Sequence, residues 1–319
     1  MNLAQISSLS DRGQGVLGGM LTVAPLLQHA EFRMDASTHF VVKDADSHTN
    51  SAARAEGAAA GQRDAQVPSV VADSLSLYTR EITIDRVREL DASNGIMAPA
   101  GLRMFGDRRI RGLADKMAVE VQNDMIAGLG ASYHMLGLST LIKDAAAGGQ
   151  TAALNFSQAE LAAMNHQISL QLNTTPNQDS FVESLEKKLA AVPGANAILC
   201  NVNLAARLST IARRLGAAGE SMNTFGTKVR TFNGVPIVPL PVGAIPQTES
   251  DGSNADCTSL YIVRFAEDQG LCYSTNSGLL FKDWDSVEEK PSGLSRVEIY
   301  ISLTLERNDA VIRCSRIRL

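Results

Sequence analysis

From Val297 to Glu306 the sequence alternates without interruption. Val297, Ile299, Ile301, Leu303 and Leu305 take one side, and Glu298, Tyr300, Ser302, Thr304 and Glu306 the other. Side chains along a strand point to opposite faces with a period of two. This stretch therefore predicts a long, half-buried strand, and such a strand needs a sheet around it and a layer packed on its apolar face. Asn308-Asp309 predicts a turn, and residues 310–319 a returning strand carrying Arg313, Arg316 and Arg318.

The layer to pack on that sheet is legible upstream. Between residues 107 and 129, Ile110, Leu113, Ala114, Met117, Val121 and Met125 fall at helical spacing and form one apolar stripe. At 1.5 Å per residue such a helix is about 35 Å long, the spine of a domain. Gly128 and Gly130 mark its end.

Residues 157–240 read differently, as helices alternating with short strands. Ser157 with Glu160, and Ser180 with Glu183, match the capping-box pattern. The first precedes Leu161 and Ile168, the second Leu185 and Leu189, and Pro193-Gly194 stops the second helix. The run Ala197-Ile198-Leu199-Cys200 predicts a strand, followed by a helix with Leu204, Leu208, Ile211 and Leu215 that Gly216 closes. Asn233-Gly234, between Val229-Arg230-Thr231-Phe232 and Val235-Pro236-Ile237-Val238, is the pair best suited to a type I′ hairpin turn. Pro236 cannot donate to a ladder, which predicts an edge or bulged strand. Further strands are expected at 259–265 and 278–281. Residues 249–289 hold nine acids against two bases and are expected to face solvent.

The first 75 residues fit neither unit. Residues 38–77 resemble one long hairpin, with His39-Phe40-Val41-Val42 returning through 67–71 and 75–78. Its centre, residues 44–61, is polar and rich in alanine and glycine. A segment so poor in apolar residues cannot build a core, so it must extend into solvent or lie on a neighbour. Ahead of it, Gly13-Gln14-Gly15-Val16-Leu17-Gly18 spells a dinucleotide-binding pattern, but the preceding residues are too polar for the buried strand such a site needs. Pro25 also interrupts the helix that would follow, so this stretch reads as a flexible arm.

Several function classes are excluded. Apolar residues make up 45% of 319, enough to rule out a disordered chain. A formal charge of −5 gives no basic footprint of a nucleic-acid reader. Cys200, Cys257, Cys272 and Cys314 include no CxxC pair, and the five histidines never sit three or four apart, so no metal site is expected. The cysteines read as buried thiols of a reducing compartment. The apolar run 16–27 is shorter than the roughly 20 residues of a membrane span and lacks the pattern of a signal peptide. Asp283/Asp285 and Glu288/Glu289 read as a solvated acidic loop. No catalytic residue and no cofactor is expected.

The order of these features resembles the major capsid proteins of tailed bacteriophages, the Hong Kong 97-like fold. The likeness rests on Ala197-Ile198-Leu199-Cys200-Asn201 followed by Arg207-Leu208, on the hairpin around Asn233-Gly234, and on Tyr261-Ile262-Val263-Arg264-Phe265. It continues through Gln269-Gly270-Leu271 and residues 297–317. In layout it spans roughly residues 20–319. The resemblance implies an α+β chain with an N-terminal arm at 1–35 and an extended loop at 36–75. It implies a peripheral domain at 76–150 and 291–319, around an α/β axial domain inserted at 151–290. The function implied is self-assembly into pentamers and hexamers of an icosahedral virion enclosing double-stranded DNA without reading its sequence. Assembly would take place in the cytoplasm of a bacterial host, away from any membrane. Portal, scaffolding and decoration proteins are the implied partners besides the chain itself.

In such shells arm and loop lie on adjacent subunits, which makes Lys43, Arg54, Glu56 and Arg63 candidates for inter-subunit contact. Arg108, Arg109 and Arg111, where the spine helix begins, join them as partners for an anionic neighbour. Lys43 is the sole lysine of the extended segment and thus the sole candidate there for a crosslink. Encapsulin-like nanocompartments share this fold and enclose protein cargo instead. An unrelated α/β enzyme is a third reading, resting only on the helix–strand alternation of 157–240.

Overall fold

The computed structural model describes residues 1–7, 11–43, 69–85, 99–130, 134–142, 156, 158–216, 218–222, 228–284 and 292–319. The alternating stretch is part of β13, a 14-residue strand at Ser292–Leu305. On one side it pairs antiparallel with β4 (Ser76–Asp85), from Ser292↔Asp85 to Ile301↔Ser76. On the other it pairs with β12 (Leu279–Trp284) and then with β11 (Leu271–Thr275), which adds the short parallel strand β1 (Phe32–Met34). Val297, Ile299, Ile301, Leu303 and Leu305 are at most 2% exposed.

The polar face of β13, expected in solvent, is mostly covered; Glu298, paired with Arg296 at 3.0 Å, is 7% exposed. Ser302 and Thr304 are 3% and 0% exposed. The addition of β1 next to β11 explains this, because it brings Asp35 over the sheet. Ser274 Oγ donates to Asp35 and shares a 2.8 Å hydrogen bond with Thr304 Oγ1. Burial is tolerated where every hydroxyl keeps a partner.

A seven-stranded sheet runs in the order β5 (Asn165–Gln171), β14 (Val311–Arg318), β10 (Cys257–Val263), β6 (Ala197–Asn201), β9 (Val235–Leu240), β8 (Lys228–Phe232), β7 (Ala218–Met222). Both of its faces are apolar, and successive residues belong to different cores. Ala197, Leu199, Tyr261 and Val263 join one cluster, Ile198, Cys200, Leu260 and Ile262 the other. The unbroken apolar run at 197–200 is the sequence mark of such a doubly buried strand.

Sheet membership departs from the expected boundaries in two places. β14 does not return onto β13: a 3₁₀ turn at Asn308–Ala310 redirects the chain, and Val311 pairs with Val263 of β10. Ile312, Cys314 and Ile317 need an apolar layer, which the second core supplies. Conversely β11 and β12, expected within 151–290, pair with β13. Each sheet thus draws strands from both expected segments, 151–290 and 291–319.

The spine helix, α4, runs from Pro99 to Ala127, eight residues earlier than the apolar stripe alone predicts. Ile110, Ala114, Met117, Val121 and Met125 are at most 1% exposed. Beyond its end, a Cβ on Gly128 would lie 2.3 Å from the Met135 carbonyl oxygen, and one on Gly137 2.3 Å from Gly128 N. Only glycine lets the two segments cross there, just ahead of the short helix α5 (Leu138–Leu141).

The expected flexible arm is core. After α1 (Leu3–Ile6), capped by Asn2, come α2 (Asp11–Val23) and α3 (Pro25–His29). Leu3, Val16, Leu17, Met20, Leu21, Leu26 and Leu27 are at most 5% exposed and belong to the same cluster as the spine. The glycine-rich pattern lies inside α2. A Cβ on Gly19 would stand 3.3 Å from Asp115 Oδ1, and one on Gly15 3.6 Å from the Arg111 guanidinium. Gly15 and Gly19 thus face α4, whereas a Cβ on Gly18 would meet nothing within 4 Å, and Pro25 starts a new helix instead of breaking one.

Three local expectations change as well. Ile168 lies in β5, because the chain leaves α6 (Gln158–Met164) to pair with β14. The Ser180–Glu183 pattern lies within α7 (Thr175–Ala190), whose first turn holds Pro176. β9 is an interior strand, yet Pro236 costs no ladder bond to β6. Val235 and Pro236 pair only with β8, and Ile237 to Leu240 only with β6. The turn behaves as expected, with Asn233 at φ 49° and Gly234 at φ 83°.

Candidate functional site

The most unusual segment is the hairpin of β2 (Thr38–Lys43) and β3 (Ser69–Ser74), six register pairs from Thr38↔Ser74 to Lys43↔Ser69. It runs into β4 after one residue, Leu75, whose N–H bonds to the Ser37 carbonyl at 3.1 Å. Lys43 closes the described ladder opposite Ser69. Arg54, Glu56 and Arg63 lie outside the described residues. Arg108 and Arg109 are in α4, with their side chains also outside the description. Arg111 is exposed and lies beside α2. Of the expected contact residues, the described structure defines the surface position of Arg111 alone.

A polar cluster anchors the root of the hairpin. Tyr78 of β4 donates its hydroxyl proton to Asp124 of the spine at 2.7 Å and accepts the Met135 N–H at 3.2 Å. His134 Nδ1 meets the same carboxylate at 2.5 Å, and Arg80 pairs with Glu120 one turn away. Burial raises the Tyr78 hydroxyl well above its ordinary value. The hydrogen bond and charge of Asp124 raise His134, which is itself exposed. A second polar tie holds β1: Arg33 bonds Asp35 at 2.8 Å and Glu306 at 2.6 Å, all three mostly buried.

A groove of 520 Å³ opens where α3 meets the seven-stranded sheet. Pro25, Val202, Val229, Val238 and Pro239 give it apolar walls, and Lys228, Arg230 and His29 line it too. Val202, first residue of α8 (Val202–Arg214), is 52% exposed there. Neither groove nor anchor cluster was legible beforehand, since each joins residues tens to hundreds of positions apart.

The four cysteines are buried and unpaired as disulfides, and burial pushes the Cys200, Cys272 and Cys314 thiols up to about 12. A thiol held protonated is a poor nucleophile. Among the described residues no three His, Cys, Asp or Glu converge as a metal would require. Among them, too, no helix is long and apolar enough to cross a membrane.

No family model matches the sequence, and no curated protein does. Solved structures do match, over nearly the whole chain. A chain of the holo-SrpI encapsulin complex from Synechococcus elongatus PCC 7942 aligns with 98% of this chain and 89% of its own, at TM-score 0.56 and 13% identity. The capsid of an empty GTA particle aligns with 93% of this chain and 90% of its own, at TM-score 0.57 and 13% identity. This is the Hong Kong 97-like capsid fold. A chain of Mycobacterium phage Bobi also matches, over 92% of this chain and 90% of its own, at TM-score 0.51 and 11% identity. At these identities the likeness is one of fold. Within the capsid fold, β2 and β3 are the described strands that join neither large sheet, and β4 with the spine fixes how they leave the body.

Proposed function

We propose that this chain is the major capsid subunit of a tailed phage. It assembles into pentamers and hexamers of an icosahedral head around double-stranded DNA and performs no catalysis. One observation carries the reading: a fold held in common, over nearly the full chain, with the capsid of a GTA particle. The hairpin supports it, because a two-stranded ladder with no sheet behind it is marginal in water and gains from lying on another surface. In this reading the extended loop at 36–75, with its Lys43, Arg54, Glu56 and Arg63, contacts the next subunit. Arg108, Arg109 and Arg111 meet an acidic neighbour. Repetition of weak contacts around each ring gives the shell its strength. The part around α4 and β13 is the peripheral domain, and the seven-stranded sheet with its helices the axial one. Portal, scaffolding and decoration proteins complete the particle, which assembles in the bacterial cytoplasm.

The net charge of −5 suits an enclosure that does not grip its contents. A second reading, a nanocompartment around protein cargo, is favoured by the groove beside α3, whose apolar walls suit the side chains of a peptide segment. Sedimentation and negative-stain imaging of the purified chain test both at once. Closed particles are expected. A species that stays near the 34.0 kDa chain mass under every condition overturns the shell reading. Nuclease-protected DNA inside native particles selects the virion, and co-purifying protein cargo selects the compartment.

A further inference from the structure

Beside the apolar groove lies a cleft of different character. Ser209, Ala212 and Arg213 of α8 face Gly219 and Glu220 of β7 and Arg230 and Thr231 of β8 across 320 Å³. Two guanidinium groups line this space. Among the described residues neither meets a carboxylate; Arg213 uses one N–H on the Ser209 carbonyl at 3.2 Å, and Arg230 has no partner. The one acid present, Glu220, faces Lys228 at 3.4 Å. The cleft therefore carries an excess of positive charge from its own walls.

The hydroxyls of the cleft point the same way. Ser209 and Thr231 are 5% and 6% exposed, and among the described residues neither hydroxyl has a hydrogen-bonding partner. Neither oxygen is itself sealed from solvent, so both hydroxyls open into the cleft and are free to donate to a ligand there. Gly219 contributes by what it lacks. A Cβ there would stand 2.6 Å from Thr231 Oγ1 and close off that hydroxyl.

Guanidinium forks match carboxylates and phosphates, to which they donate pairs of parallel hydrogen bonds. A single carboxylate, with two oxygens and one charge, underuses two guanidiniums and two hydroxyls. A tetrahedral oxyanion with up to four acceptor oxygens uses them all. We propose that this cleft binds a phosphate-class oxyanion, held by Arg213 and Arg230 and by the Ser209 and Thr231 hydroxyls. The bound ion ties α8 to the β7–β8 pair, which otherwise meet around an open space. This inference stands whether or not the chain builds a shell.

Thermal unfolding of the full chain in inorganic phosphate, against sodium chloride of equal ionic strength, is the first test. Phosphate at about ten times its dissociation constant should raise Tm by about 2–4 °C. Arg230→Gln, an exposed position, should fold normally and abolish the rise. Titration calorimetry with phosphate should show Thr231→Val binding about 2- to 10-fold more weakly. Single-stranded oligothymidylate, titrated in parallel, separates the sources of the ligand. Binding of phosphate alone assigns the free ion. Binding of both, each lost in Arg230→Gln, assigns a nucleic-acid backbone as well. An equal rise in chloride or acetate, or a rise undiminished in Arg230→Gln, overturns the site.

Discussion

Residues 1–34 and the β2–β3 hairpin are neighbours in the chain and opposites in how they are held. The first segment contributes Leu3, Met20, Leu26, Leu27 and Phe32 to the core, each fully buried. The second offers a six-pair ladder whose described ends, Thr38 and Ser74, are exposed. Both lie ahead of the spine helix in the chain, and both are expected from the family resemblance to lie on adjacent subunits. Helical periodicity separates them. Val16, Leu17, Met20 and Leu21 line one side of α2 and can pack on α4, whereas the hairpin has no second layer of its own. A segment joins the core when its apolar residues recur at the right period, however near it lies to the end of the sequence.

The largest effect that tests this contrast comes from truncating the core on one side of it. Leu27→Ala should cost about 2–5 kcal/mol of unfolding free energy, because it leaves a cavity in the core that the arm shares with the spine, and the surrounding elements cannot fully close it. Deleting residues 44–61 should instead change stability by less than about 1 kcal/mol, since a stretch so polar and so rich in alanine and glycine has little apolar surface to contribute to a core. That same deletion should block or alter particle formation. Urea unfolding followed by sedimentation reads both quantities. A tolerant Leu27 with a destabilising deletion would reverse the comparison.

What could be read in advance follows the reach of each signal. The β13 alternation, the spine stripe, the Asn233-Gly234 turn and the buried run at 197–200 depend on residues within one element. Each is found where its period or turn chemistry places it. Pairings over long separations were not legible. Val311 chooses Val263 over a hairpin with β13 because an apolar layer lies under β10, and no local pattern records that layer. The arm was misread for the same reason: Gly15 and Gly19 look like loop residues until the side chains of Arg111 and Asp115 are found against them. The anion cleft is the extreme case, since its arginines and hydroxyls are individually ordinary. Their only signal is joint position.

Gln122 gives a smaller effect on the same boundary. It is fully buried on α4, and its Oε1 accepts the Leu26 N–H at 3.0 Å. Ala24, at the start of α3, has no side chain able to cap that helix, so a spine residue 96 positions from Leu26 does so. Gln122→Met keeps the length of the side chain and removes the acceptor. The orphaned N–H costs about 1–3 kcal/mol. Gln122 Nε2 has no partner among the described residues, so its removal offsets part of this. A net loss of about 1 kcal/mol by chemical denaturation is expected, clearly below that of Leu27→Ala. A neutral result would mean that α3 needs no tie to the spine.

The smallest effect distinguishes the two regions by pH. His134 stands by the root of the hairpin with Asp124 and Glu120 facing it, while Tyr78 shares Asp124 and Arg80 engages Glu120. The Asp124 bond raises the imidazole above its ordinary 6.5. A raised histidine contributes stability that is fully present below about pH 6.5 and fades as pH climbs through the raised value. Because the ring is 47% exposed, solvent screening holds the contribution to about 0.2–1 kcal/mol. His29, at the end of α3, is lowered by burial, so it contributes the opposite slope: stability is lost as pH falls below about 6.5. His134→Gln should therefore lower Tm more at pH 6 than at pH 9. His29→Gln should reduce the loss of Tm that the parent chain suffers between pH 7 and pH 5. If both variants shift in the same direction with pH, the hairpin root and the N-terminal core do not differ in the way their packing requires.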